Sequence, residues 1–315
     1  MTATAWLFPG QGTQTVGMGK ALYDASPAAR AVFERADRAL GFPISRLCFE
    51  GPEADLTLTA NTQPAILTTS LAALAALREA LPSLPDPAFA AGHSLGEYSA
   101  LVAAGALELE DAVRLVRLRG EAMQAAVPEG TGAMAAILGG DSAAVSALCA
   151  EARGDDVLAP ANFNAPGQVV IAGHAAAVAR ARELAGSRKL KAIPLAVSAP
   201  FHCSLMAPAA RAVAAALDRI PVQNPRFPVV ANVDARPATT DREVRAQLVR
   251  QVDGAVRWEE SVAFIVAQGV TRAFEIGPGR VLAGLARKID KRLEVLGVAD
   301  PAGVAEAATP ATIPG

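Results

Sequence analysis

The sequence predicts an α/β protein: a large unit built on a mostly parallel sheet, carrying a smaller ferredoxin-like unit inserted into it. Three observations carry that expectation. Short apolar runs alternate with longer segments of helical spacing, the pattern of strands joined by helical crossovers. Between residues 133 and 195 the texture changes to a compact β-α-β-β-α-β series, the split βαβ arrangement. The first texture then resumes. The large unit is therefore expected over residues 1–130 and 198–300, the small one over 131–197, and a disordered, Pro-rich tail over 301–315.

In chain order, AWLFPG (5–10) reads as a strand cut short by Pro-Gly, and residues 27–40 and 64–80 have helical spacing. PAFAAGHS (87–94) is a strand that feeds a turn, and LGEYSALVAAGAL leaves that turn as a helix. LEDAVRLVRLRGEAMQAA (109–126) is a further helix, ended by VPEGTG. In the insert the strands are AMAAIL, VLAPANF, QVVIAG and LKAIPLAV, and the helices are SAAVSALCAEA and AAAVARARELAG. The large unit resumes with a helix near 205–219, strands FPVVAN (227–232) and TRAFEIGPG (271–279), and a helix near 281–291.

Composition narrows the function classes. A chain of 315 residues, 52% apolar and 19% charged, is ample for a sizeable core. A net charge of −2 gives no global field for nucleic acid or an anionic membrane. Cys48, Cys149 and Cys203 are far apart with no C-x-x-C, which suggests neither disulfides nor a metal site and fits a reducing cytoplasm. The N-terminus lacks a basic n-region, and no apolar run is long enough to span a bilayer. The glycine-rich GQGTQTVGMGK fails both phosphate-loop patterns. A dinucleotide fingerprint needs glycine where Thr15 stands; a Walker loop needs glycine at Gln14 and Ser or Thr at Ala21. This turn, closing the first strand, can instead supply an amide to a neighbouring site.

That site is AGHSLGEYSA (91–100). Ser94 lies in G-x-S-x-G, the nucleophile elbow, where a strand-to-helix reversal is too tight for side chains on either flank. The serine then projects at a helix N-terminus, and the amide of Leu95 is free to stabilise an oxyanion. The serine needs a base, and there are three histidines. His93 lies inside the elbow and points away from Ser94; His174 begins a helix of the insert; His202, in SAPFHCSLM, stands where the chain re-enters the large unit and is the best base. No acid between serine and histidine closes a strand. Glu108, Glu110, Asp111, Asp141, Asp155 and Asp156 all read as helix or loop positions, so a dyad oriented by a neutral group is open. Arg119, five residues after Arg114, is rotated by about 140° from it, away from the solvated face. An inward arginine needs an anion, either a substrate carboxylate or an internal salt bridge.

FPGQGTQ, NTQPAI, GHSLGEYSALVAAG, RGEAM, NFNAPGQVVIAG, APFHCSLM, VVANVDA and EIGPGRVL occur in that order. With these motifs the chain resembles, from about residue 5 to 297, the malonyl-CoA:acyl-carrier-protein transacylases of fatty acid synthesis and the related acyltransferases of polyketide synthases. The resemblance implies a hydrolase-like large subdomain joined to a ferredoxin-like small one. It implies Ser94 as nucleophile, His202 as general base and acid, and the amides of Gln11 and Leu95 as oxyanion hole. It further implies Arg119 as partner of the malonyl carboxylate, the Gln251 backbone carbonyl as the group orienting the histidine, and Gln63 and Asn162 as cleft-lining residues. Phe201 departs from the serine common in bacterial fatty acid enzymes and looks like malonyl-selective polyketide domains, which leaves the pathway open. The implied reaction is ping-pong transfer from malonyl-CoA to an acyl carrier protein by a monomer, without cofactor or metal. A serine thioesterase or esterase, and a non-catalytic carrier-docking module, are the alternatives. Arg188, Lys189 and Lys191 form a modest basic cluster suited to steering an acidic carrier.

Overall fold

The structure, a computed structural model, describes residues 3–197 and 199–309. It opens with β1 (Thr4–Phe8), α1 (Lys20–Ala25), α2 (Pro27–Leu40), α3 (Ile44–Glu50), α4 (Glu53–Thr57), α5 (Thr59–Ala80), β2 (Phe89–Gly92), α6 (Gly96–Ala103) and α7 (Leu109–Ala125). The insert contributes β3 (Gly132–Leu138), α8 (Ser142–Ala152), β4 (Leu158–Ala165), β5 (Gln168–His174), α9 (Ala175–Ser187) and β6 (Lys191–Pro194). The chain ends with α10 (Ala207–Leu217), β7 (Val229–Val230), β8 (Pro237–Ala238), α11 (Asp241–Asp253), α12 (Trp258–Ala267), β9 (Arg272–Ile276), α13 (Val281–Ile289), β10 (Glu294–Val298) and α14 (Pro301–Ala308).

The larger sheet has the order β10-β9-β1-β2-β7-β8 and is parallel except for the β7–β8 pair. Its interior strand β1 is apolar and buried from Ala5 to Phe8 because both faces are covered. Trp6 and Phe8 point into one core with Phe33 of α2, Leu67 of α5, Leu101 of α6 and Val116 of α7. Ala5 and Leu7 point into the other, with Val262 and Ile265 of α12 and Leu285 of α13.

The insert folds as an antiparallel sheet, β4-β5-β3-β6, with α8 and α9 packed over a third core. It is stitched to the large unit through the backbone. Phe163 N donates to Val256 O at 2.9 Å, and Val256 N donates to Ala161 O at 2.8 Å.

Several elements are shorter than the sequence reading, among them β6, β7 and α6, and two departures go further. Helix α5 starts at Thr59, so Pro64 lies inside it, giving up one hydrogen bond rather than opening the helix. Residues 301–308 are not a disordered tail but α14, capped by the Asp300 side chain on Gly303 N, with Val304 and Ala307 packed into the first core. Small residues there allow close packing, which composition alone does not reveal. The rest of that expected tail, 310–315, lies outside the described residues. No described helix is long and apolar enough to cross a membrane.

Candidate active site

β2 ends at Gly92 and α6 begins at Gly96, leaving three residues for the whole reversal. A Cβ on Gly92 would lie 1.9 Å from the Gly96 carbonyl carbon, and one on Gly96 would lie 2.1 Å from Phe8 O. Glycine is thus obligatory on both flanks. Ser94 itself sits at φ 50°, in the left-handed region. Asn232 holds the turn: its Oδ1 accepts from Ser94 N and its Nδ2 donates to Gly92 O, both at 2.7 Å.

The Ser94 hydroxyl meets His202 Nε2 at 2.7 Å. On the ring's other side, Nδ1 donates to Gln251 O at 3.0 Å and Gly254 O at 3.1 Å. Carbonyls only accept, so Nδ1 carries the hydrogen and Nε2 keeps its lone pair for the serine. Burial, reinforced by the Arg119 charge, pulls the imidazole down to about 3, so it is neutral at pH 7. Two carbonyls stand where a triad acid would. The carboxylates weighed from sequence lie elsewhere: Glu110 holds Arg35, Asp111 faces Arg114, Asp141 caps α8, Asp156 pairs with Arg180, and Glu108 and Asp155 are exposed.

Arg119 is 1% exposed, whereas Arg114 and Arg117 lie at the surface of the same helix with Asp111 and Glu121. Its Nη1 donates to Gln63 Oε1 at 2.7 Å; its Nη2 donates to Gln251 Oε1 at 3.0 Å and Ser94 Oγ at 3.1 Å. The guanidinium lies over the Tyr98 ring at 5.4 Å, and its Nε has no partner among the described residues. Burial holds its pKa below the ordinary arginine value. Gln63 reaches it because α5 and α7 touch through Gly120, where a Cβ would lie 2.7 Å from Thr59 O.

These groups open onto a cavity of about 520 Å³ between the two units. Gln11, Gln63, Ser94, Arg119, Asn162, Phe201 and His202 line it, together with His93, Met123, Met134, Leu195 and Val197. Gln251 lies behind it, fully buried. The Gln11 side chain donates to Thr59 Oγ1 at 3.3 Å. Neither the Gln11 amide nor the Leu95 amide has a backbone partner among the described residues. The Leu95 side chain is buried in the first core and does not line the cavity, whereas Phe201 does.

His93 turns its Nε2 to Asn164 Oδ1 at 2.8 Å rather than to the serine. His174 accepts from Val157 N at the start of α9. Burial raises the thiols of Cys48 and Cys149 to about 12 and that of Cys203 to about 11, which leaves them poor nucleophiles. No group of three or more metal-ligating side chains occurs among the described residues. Sequence reasoning missed Asn232, Glu97 and Gly254. The first two lie inside motifs quoted above, VVANVDA and GHSLGEYS, and their polar side chains within apolar surroundings were the available signal.

Residues 5–305 match the acyl transferase domain family. The malonyl CoA-acyl carrier protein transacylase of Bacillus subtilis strain 168 is 50% identical over 303 residues, covering 96% of this chain and 95% of that protein. Its counterpart in Escherichia coli strain K12 is 47% identical over 310 residues, covering 98% and 99%. A solved malonyl-transacylase in complex with a type II PKS acyl-carrier protein is 45% identical with a TM-score of 0.94, covering 98% of this chain and 99% of that one. An acyl carrier protein S-malonyltransferase from Vibrio cholerae is 44% identical with a TM-score of 0.94, covering 97% and 99%. These matches run over nearly the whole length, and the chain belongs to the acyl transferase domain family, among the malonyl CoA-acyl carrier protein transacylases.

Proposed function

We propose that the protein transfers the malonyl group of malonyl-CoA to the phosphopantetheine thiol of an acyl carrier protein, through a malonyl ester on Ser94. Arg119 carries this reading: a buried guanidinium whose hydrogen-bond partners are all neutral, 3.1 Å from the serine oxygen. An esterase or thioesterase has no use for such a cation beside its nucleophile, and a docking module has none for the Ser94–His202 pair.

The Ser94 oxygen attacks the thioester carbonyl while its proton passes to His202 Nε2. The amides of Leu95 and Gln11 receive the developing oxyanion. Collapse expels the CoA thiolate, which takes the proton back from His202. In the second half-reaction the carrier thiol gives its proton to His202 and attacks the ester, and Ser94 leaves with that proton. The Gln251 and Gly254 carbonyls keep the ring in the one useful tautomer throughout. Arg119 meets the malonyl carboxylate, and Gln63 and Asn162 bound the acyl chamber. Hydrogen bonds to charged groups contribute about 1.5–3 kcal/mol each, so a bidentate pair favours malonyl over acetyl by about 10³. Against methylmalonyl only shape remains, about 10–200-fold, with Phe201 as the crowding wall.

The carrier is acidic and approaches the cluster of Arg188, Lys189 and Lys191, where Arg188 is already held by Glu151. Its malonylated product feeds carrier-dependent fatty acid or polyketide synthesis. The protein acts as a cytoplasmic monomer, without cofactor or metal, and a net charge of −2 gives it no field for nucleic acid or membrane. The test is mass spectrometry after mixing with malonyl-CoA. A malonyl adduct is expected on the Ser94 peptide, absent in Ser94→Ala, and moving to holo carrier protein on its addition. Adduct on Cys203, or release to water at the same rate without carrier, contradicts the reading.

A further inference from the structure

Glu97, three residues after Ser94, is 2% exposed and takes no part in the steps above. Its Oε2 accepts from Asn232 N at 2.8 Å and from Gln251 Nε2 at 3.0 Å. Both donors belong to residues that grip the site. Asn232 holds the Ser94 amide. The Gln251 side chain spans the gap between the elbow and the arginine: its Nε2 also donates to Ser94 O at 2.8 Å, while its Oε1 accepts from Arg119 Nη2 at 3.0 Å.

A glutamine amide has two unlike ends, and only one orientation works here. Turned over, its NH₂ would face the guanidinium and its oxygen would face the oxygens of Ser94 and Glu97, so each contact would repel. Asn232 Oδ1 lies 3.4 Å from Gln251 Nε2 and is already occupied by Ser94 N, which makes it a weak anchor. Burial pushes the Glu97 carboxyl up to about 7, and in either protonation state an oxygen remains to accept at this position.

We propose that Glu97 is a positioning residue for substrate choice: its oxygen fixes the Gln251 amide so that Oε1 faces Arg119, and thereby aims the guanidinium at the acyl group on Ser94. This rests on the reading of Arg119 as the carboxylate partner. Reach, rather than charge, is the operative property. Glu97→Gln keeps an oxygen at the same distance without the charge. Glu97→Asp keeps the charge but draws the carboxylate back by one carbon–carbon bond, roughly 1.5 Å, out of hydrogen-bond reach of at least one donor.

The experiment is the single-turnover acylation of wild type and both variants with malonyl-CoA and with acetyl-CoA, with thermal melts alongside. Glu97→Gln should keep the malonyl-to-acetyl preference within about threefold of wild type. Glu97→Asp should lower it by about tenfold, the loss of one hydrogen bond to a charged group, with the acetyl rate moving much less. Equal losses on both donors would show a merely structural role. A tenfold drop in Glu97→Gln would by itself overturn the proposal, whether or not Glu97→Asp folds. A wild type that forms no malonyl ester ends the functional reading and this proposal together; a wild type that does, with unchanged variants, ends only this one.

Discussion

The two sides of the cavity are built differently. On the large unit, the Ser94 hydroxyl, the His202 ring, the Arg119 guanidinium and the Gln63 and Gln251 amides form one continuous hydrogen-bonded set. Most of these groups are buried, and two of them, Ser94 and His202, are held at positive φ. On the insert, the wall is mostly apolar, with Met134, Leu195 and Val197 beside Asn162, and Asn164 reaches across to His93. Every group of that hydrogen-bonded set therefore comes from the large unit, from the elbow, from α5, α7 and α11, or from the loop at His202, and the antiparallel insert supplies shape. The difference teaches where each kind of defect should appear: damage to the first side should act on the chemical step, and damage to the second on binding and carrier approach.

The largest effect that could break this division is at His202. His202→Ala should slow acylation by about 10²–10⁴, the usual worth of a positioned acid–base group, in rapid-quench measurement of the malonyl ester. A near-normal rate would remove the histidine from the chemistry.

Acidification sharpens the same side. An ordinary imidazole, at 6.5, would be protonated at pH 5 and lose about thirtyfold in base activity. With His202 at about 3, acylation should fall by less than about twofold between pH 7 and pH 5. The signs for stability are opposed. The unfolded histidine binds a proton that the folded one refuses, so its contribution weakens as pH falls through 6.5. The raised Glu97 carboxyl contributes most below 4.5 and loses that contribution as pH rises through 7.

The smallest mutational effect lies on the insert. Reversing the charges of Lys189 and Lys191 should raise the KM for the carrier several-fold, less at higher salt, with the malonyl-CoA half-reaction unchanged. Equal slowing of both half-reactions would tie the insert to the chemical step.

How much of this was legible in the sequence follows from how local each constraint is. The elbow is written in five consecutive residues because a backbone clash enforces both glycines. Arg119 shows itself by its rotation away from Arg114. The short helices α3 and α4 and the edge strand β10, interrupted by Gly297, carry no periodic pattern of their own and are held by what packs on them. Helix α14 is built of residues that composition reads as low complexity. The grip on His202 uses backbone carbonyls, Gln251 and Gly254, which any residue type supplies, so only the resemblance pointed to the first and nothing pointed to the second. Asn232 lies 138 residues from the amide it holds.

The central claim is that a buried arginine beside the serine selects the acyl group by its carboxylate. The direct test is competition between malonyl-CoA and acetyl-CoA for the acyl-enzyme, in wild type and in Arg119→Ala. Wild type should favour malonyl by about 10³, and Arg119→Ala should bring the ratio to within about tenfold of unity while largely sparing acetyl transfer. If Arg119→Ala keeps the malonyl preference, the arginine is a structural cation and the account of substrate choice is wrong.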